Sequence, residues 1–106
     1  MKIIYNNKIP FGKSYYAINI FGVVFSKGKL NATGLNHEYI HTLQQAEMLF
    51  VFFYLWYVAE WLAKLLYYGS NAKSYRNISF EREAYENQDN PDYSRTRKHY
   101  AWFKHL

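Results

Sequence analysis

The stretch NATGLNHEYIHTLQQAEMLFVFFYLWYVAEWLAKLLYYG, residues 31–69, decides how this chain is built. Asn31 or Thr33 can cap a helix start, and neither Gly nor Pro interrupts residues 35–68. The pattern predicts one long helix or two nearly collinear ones, ended by Gly69 just past the last turn. Its middle, residues 48–59, is unbroken apolar and aromatic, too short for the roughly 20 residues of a bilayer crossing. Continuing to Tyr68 reaches that length only by taking Glu60 and Lys64 into the span, where charge is expensive.

Upstream, short β-rich runs alternate with turn residues. Lys2–Tyr5 reads as a strand, Pro10-Phe11-Gly12 as a turn, and YYAINIFGVVFS (15–26) as one or two further strands, with Gly22 a bulge inside the longer run. Downstream of Gly69 comes a connector, then a helix started by Ser79 that stops before Asn90-Pro91. A basic, aromatic helix follows from near Asp92. The expected class is therefore α+β, with a short N-terminal antiparallel sheet, a long helix, a glutamate-bearing helix and a C-terminal helix. At 106 residues this is a single domain, residues 1–106, built around one core.

Chemistry concentrates in His37-Glu38-Tyr39-Ile40-His41. Positions i and i+4 share a helix face, so both imidazoles can converge on one metal ion. Glu38 then stands beside the first ligand, where a carboxylate can act on a water instead of on the metal. With no cysteine in the chain, any further ligand must come from His or a carboxylate. SFEREAY, residues 79–85, supplies it. Glu81 and Glu83 lie on nearly opposite sides of a helix, and Glu81 shares its face with the small Ala84, which permits close approach. Glu81 is the expected third ligand and Glu83 the reserve.

H-E-x-x-H followed by E-x-x-A resembles the gluzincin zinc metallopeptidases, most closely their integral-membrane branch, and is similar to small bacterial proteins assigned as metallopeptidases. The resemblance spans roughly residues 20–88. It implies Zn2+ held by His37, His41 and Glu81, with Glu38 activating the water that hydrolyses a peptide bond of a peptide or protein substrate. Where that family carries Asp after the alanine, hydrogen-bonded to a ligating histidine, this chain has Tyr85. The phenol is expected to take over that orienting contact less effectively.

Geometry constrains the site. In a straight helix Tyr68 would lie about 40 Å from His41. The residues from Gly69 to Phe80 would then return Glu81 only if almost fully extended, or more easily if the helix bends. A bilayer crossing between the histidines and Glu81 would separate them by a ~30 Å apolar layer, so crossing and shared site exclude each other.

The net charge of +5 forms no basic stripe, which argues against nucleic acid. The N-terminus has no signal-peptide pattern. A chain this short cannot cover an all-round apolar helix, so residues 46–68 are expected to meet a membrane surface or form a homodimer, with Trp56, Trp61, Tyr67 and Tyr68 suited to a water–lipid boundary. Gln44 and Gln45 are expected on the helix surface, Tyr93, Arg95 and His99 as ordinary surface or packing residues, and His105 in solvent. Two other readings share the pattern: a non-catalytic module stabilised by zinc on the same three ligands, and a small membrane-associated protein without metal.

Overall fold

The structure is a computed structural model describing residues 2–6 and 16–106; the turn expected at residues 10–12 lies outside them. Strands β1 (Lys2–Tyr5), β2 (Ala17–Ile20) and β3 (Val23–Ser26) form a sheet in the order β1-β3-β2. Helices follow as α1 (Ala32–Glu47), α2 (Val51–Tyr68), α3 (Asn71–Arg76), α4 (Ser79–Asn87) and α5 (Tyr93–Thr96), then a 3₁₀ turn at Ala101–His105. The α+β class is as the sequence predicts.

The sheet is mixed instead of antiparallel throughout. β2 and β3 form an antiparallel hairpin, while β1 joins β3 in parallel, Lys2 opposite Val23 and Tyr5 opposite Ser26. Gly22 is not a bulge. Phe21 and Gly22, both at positive φ, make the two-residue turn whose twist matches the strands it joins. The Phe21 N–H donates to the Tyr54 hydroxyl at 2.7 Å, and its ring packs on Tyr54, which holds a non-glycine residue in that conformation.

Asn31 caps α1, its side chain accepting from the Gly34 N–H at 2.7 Å. The expected collinear continuation into α2 does not occur: the chain turns by 112° across residues 48–50. The break is a Schellman motif. The Phe50 N–H bonds back to the Gln45 carbonyl at 2.7 Å and the Leu49 N–H to the Ala46 carbonyl at 3.2 Å. The left-handed residue such an ending needs is Leu49, at φ 54°, where glycine is usual. Nothing in the sequence marks that position. Tertiary contacts fix the corner instead. Glu47, last residue of α1, receives Arg97 in a bidentate pair at 2.8 and 3.0 Å and the Tyr100 N–H at 2.9 Å.

α2 ends at Gly69, at φ 66°, whose N–H returns to the Leu65 carbonyl. The expected connector contains α3, capped by Ser70. α4 lacks a side-chain cap of its own; Glu60 of α2 serves, accepting from the Ser79 N–H at 2.9 Å and from the Ser79 hydroxyl. Lys64 and the Trp56 indole bond the same carboxylate. Glu60 and Lys64, whose charge made the extended run a poor membrane span, thus turn inward, Glu60 fastening α2 to α4 and Lys64 bonding Glu60 and the Asn77 carbonyl. The expected C-terminal helix is divided into α5 and the 3₁₀ turn by extended Arg97 and left-handed Tyr100.

Phe53, Ile78, Phe80 and Trp102 form the apolar core, with Tyr57 and Trp61 against it. Phe53 and Phe80 meet at 4.4 Å between ring centroids, Phe80 and Trp102 at 4.7 Å. The opposite side of α2 is uncovered: Val51, Leu55, Val58, Leu62 and Leu66 are all at least half exposed or close to it. Among the described residues no single helix is long and apolar enough to cross a membrane; only the bent pair α1 and α2 together has that length and composition.

If the corner rests on a left-handed Leu49, then Leu49→Gly leaves stability unchanged or raises it by up to about 1 kcal/mol. Relief of the ~1–2 kcal/mol positive-φ cost offsets the ~0.5–1 kcal/mol entropic cost of glycine. Leu49→Val destabilises. Denaturant unfolding of both variants checks this, and a loss above about 1 kcal/mol for the glycine variant contradicts it.

Candidate metal centre

The buried side of α1 is made of His37, Glu38, His41, Gln44 and Gln45, with Ile40 its one apolar member. A helix face this polar must find partners, because each unpaired buried group costs about 1–3 kcal/mol. The corner at residues 48–50 and the return through α2 and α3 bring α4 across that face. Glu81 Oε1 lies 3.0 Å from His41 Nε2 and 3.3 Å from His37 Nε2, and the two Nε2 atoms are 3.1 Å apart. All three side chains are buried.

Those separations match a metal's ligand shell. Donors at about 2.0–2.1 Å from a tetrahedral ion lie about 3.3 Å from one another. The donor chemistry fits as well. Gln44 donates its amide N–H groups to the Phe80 carbonyl at 3.0 Å and to Glu83 at 2.9 Å, which fixes the direction of the amide. Its oxygen therefore faces His41 Nδ1 at 2.8 Å and accepts a hydrogen from it. The neutral His41 ring then carries its lone pair on Nε2, aimed into the cluster. Gln88 Oε1 holds His37 Nδ1 in the same way at 2.8 Å. Two imidazole lone pairs and a carboxylate at about 3 Å repel unless a cation lies among them.

A proton is the simplest such cation. Burial alone would lower the His41 pKa, but the charge and hydrogen bond of Glu81 outweigh it and raise it to about 9. Burial likewise opposes ionisation of Glu81, and the imidazoles reverse this, holding its carboxyl well below the usual range. A divalent metal held by neutral histidines and a carboxylate would take the place of that proton. The Tyr57 hydroxyl donates to Glu81 Oε2 at 2.9 Å, leaving Oε1 to face the histidines.

Glu38 is buried, and its Oε2 has no hydrogen-bond partner among the described residues. Burial raises its pKa, against the pull of His41 and His37. It opens with His41 and Glu81 onto a cleft of about 640 Å3 between β2 and α2, walled by Ile18, Tyr57, Val58 and Trp61. The half-buried Tyr75 reaches the same cleft, its pKa raised by burial and then by the charge of Glu81.

The four residues singled out in the sequence thus come together, and Glu83 does not join them. It is buried elsewhere, accepting from Gln44, from the Tyr93 hydroxyl at 2.6 Å and from Arg97 at 2.5 Å. Those bonds, led by Arg97, outweigh burial and lower its pKa. Tyr85 does not orient a histidine through its hydroxyl. Its ring meets the His37 ring at 4.5 Å and carries the Arg76 guanidinium on its face, while Gln88 takes His37 Nδ1.

Gln44 and Gln45, expected on the surface, are almost wholly buried, and so is His105, expected in solvent. His99 is exposed, and Arg95 pairs with Asp92 at the surface. Gln88 was within reach of sequence reasoning, since it lies two helical turns beyond Glu81 and so on its face. Tyr57, inside the aromatic run, and Arg97, remote in sequence, carried no signal.

Comparison of the chain with protein-family models, with curated proteins and with solved structures finds no match.

Removing the hydrogen bond to His41 Nδ1 frees that ring to adopt the wrong tautomer. If the cluster holds zinc, Gln44→Leu should weaken its affinity about 10–100-fold, read by competition with a chromophoric chelator, while far-UV circular dichroism keeps its helical signal. Unchanged affinity in a folded variant contradicts this role for Gln44.

Proposed function

We propose that this chain is a zinc-dependent metallopeptidase in which His37, His41 and Glu81 hold the metal and Glu38 is the general base. The observation that carries the reading is the juxtaposition of three convergent metal-type donors with a buried carboxylate, Glu38, that opens onto one cleft with two of them, His41 and Glu81. When bound, zinc supplies Lewis-acid chemistry, acidifying a water and polarising a carbonyl.

The protein's own groups do the rest. Glu38 takes the proton from the attacking water and later delivers it to the leaving amine. Burial raises its proton affinity above that of a surface carboxylate, which suits it to both steps. Tyr75, hydrogen-bonded to Tyr85 and lining the cleft beside Glu38 and Glu81, is the group we assign to donate to the oxyanion that develops on the substrate carbonyl. Glu81 is kept one-handed by Tyr57, and the two glutamines fix the imidazoles, so the ligands need not reorganise during turnover.

A non-catalytic, zinc-stabilised module would use the same three ligands. The open cleft favours the catalytic reading, because a purely structural site closes its fourth position with protein.

Zinc-loaded protein should cleave a quenched-fluorescence peptide library. Glu38→Gln should retain one zinc while losing activity by about 10²–10⁴-fold. Equal cleavage by the variant, or none by the zinc-loaded wild type across the library, overturns the assignment.

A further inference from the structure

The cleft that opens on the metal-type cluster has an unusual pair of walls for a site that would receive a peptide. One is β2, an edge strand of the sheet. In the β2–β3 hairpin the Tyr16 carbonyl bonds toward β3, so Ala17, Asn19 and Phe21 turn their backbone groups outward. An edge strand ordinarily offers such groups to an extended ligand. Here the Asn19 carbonyl already accepts from Gln45 at 3.1 Å and from the Tyr54 hydroxyl at 3.4 Å, and the Phe21 N–H donates to Tyr54 at 2.7 Å. The protein's own helices thus occupy the Asn19–Phe21 end of the edge.

The other wall is α2, which presents Phe53, Tyr57, Val58 and Trp61. Among the described residues lining the cleft, the acidic and basic side chains are Glu38, His41 and Glu81, all belonging to the candidate centre. No further charge awaits a charged substrate side chain. The volume of about 640 Å3 exceeds what one side chain fills, since a cavity of about 150 Å3 holds a benzene ring. Val58, half exposed, carries the apolar wall out onto the uncovered side of α2.

We propose that the cleft selects a polypeptide segment of about three or four consecutive large apolar residues, gripped by side-chain burial between β2 and α2 and not by backbone pairing with the edge strand. That this segment is a substrate rests on the peptidase reading; that it binds does not. Such segments belong to the apolar stretches of membrane proteins or of unfolded chains, and a folded soluble surface does not offer them.

Binding is measured by titration calorimetry on zinc-loaded Glu38→Gln, which holds a peptide without turning it over. The probe is a peptide with a central Leu-Phe-Leu-Phe block between lysine pairs. One series replaces the block with Ser and Thr, and another N-methylates the block's backbone amides. The polar series should bind at least 30-fold more weakly, and N-methylation should change affinity less than 3-fold. Val58→Glu, at a half-exposed helix position, should weaken binding of the parent probe at least 10-fold. Strong loss on N-methylation with the polar series tolerated, or no binding of the parent probe, overturns the inference. Wild-type protein that binds the probe yet cleaves no peptide overturns the peptidase reading alone. Cleavage that ignores the apolar block overturns this inference alone.

Discussion

The carboxylate oxygen of Glu81, 3.0 and 3.3 Å from two histidine nitrogens, is the contact on which the rest of the structure depends. Glu81 lies forty positions after His41, and the end of α1 and α2, which hold most of the residues between, would carry the chain away from the site if they ran collinear. The 112° corner at residues 48–50 prevents this. Glu47 locks the corner to Arg97, and Glu60 ties the returning α4 to α2 by capping its first turn. Each of these buried carboxylates is paired, as burial of charge requires.

Polar groups fill much of the interior between α1 and α4, in a chain with only a small aromatic core. A continuous series of bonds runs from Arg97 through Glu83 and Gln44 to His41. Each link sets the donor or acceptor role of the next, so the tautomer of a candidate ligand is determined by an arginine 56 positions later in the sequence. Replacing such a network with apolar residues would often stabilise a protein. Among the described residues this network stands where three metal-type donors converge, and such local departures from good packing are expected where a protein is built for something other than stability.

The sequence made the local part of this legible. Helical spacing put His37 and His41 on one face, and the small Ala84 singled out Glu81 over Glu83, which points elsewhere. It made the tertiary part illegible for identifiable reasons. Leu49 occupies a position that normally announces itself as glycine, so the corner had no signature. Gln44 and Gln45 look like surface residues because their partners, the Phe80 carbonyl, Glu83 and the Asn19 backbone, are distant in sequence. His105 is drawn inside by the 3₁₀ turn that carries Trp102 into the core. Gly22, read as a bulge, required knowing that Phe21 would be held at positive φ by Tyr54.

The measurement that reaches the central claim most directly is the metal-to-protein ratio by elemental analysis after zinc loading and desalting, for wild type, His41→Ala and Glu81→Gln. A ratio near one for the wild type, lost in His41→Ala and reduced in Glu81→Gln, is what this arrangement of donors predicts. A wild-type protein that retains no zinc, or variants that retain as much as the wild type, would contradict it and leave His41 and Glu81 as a buried ion pair.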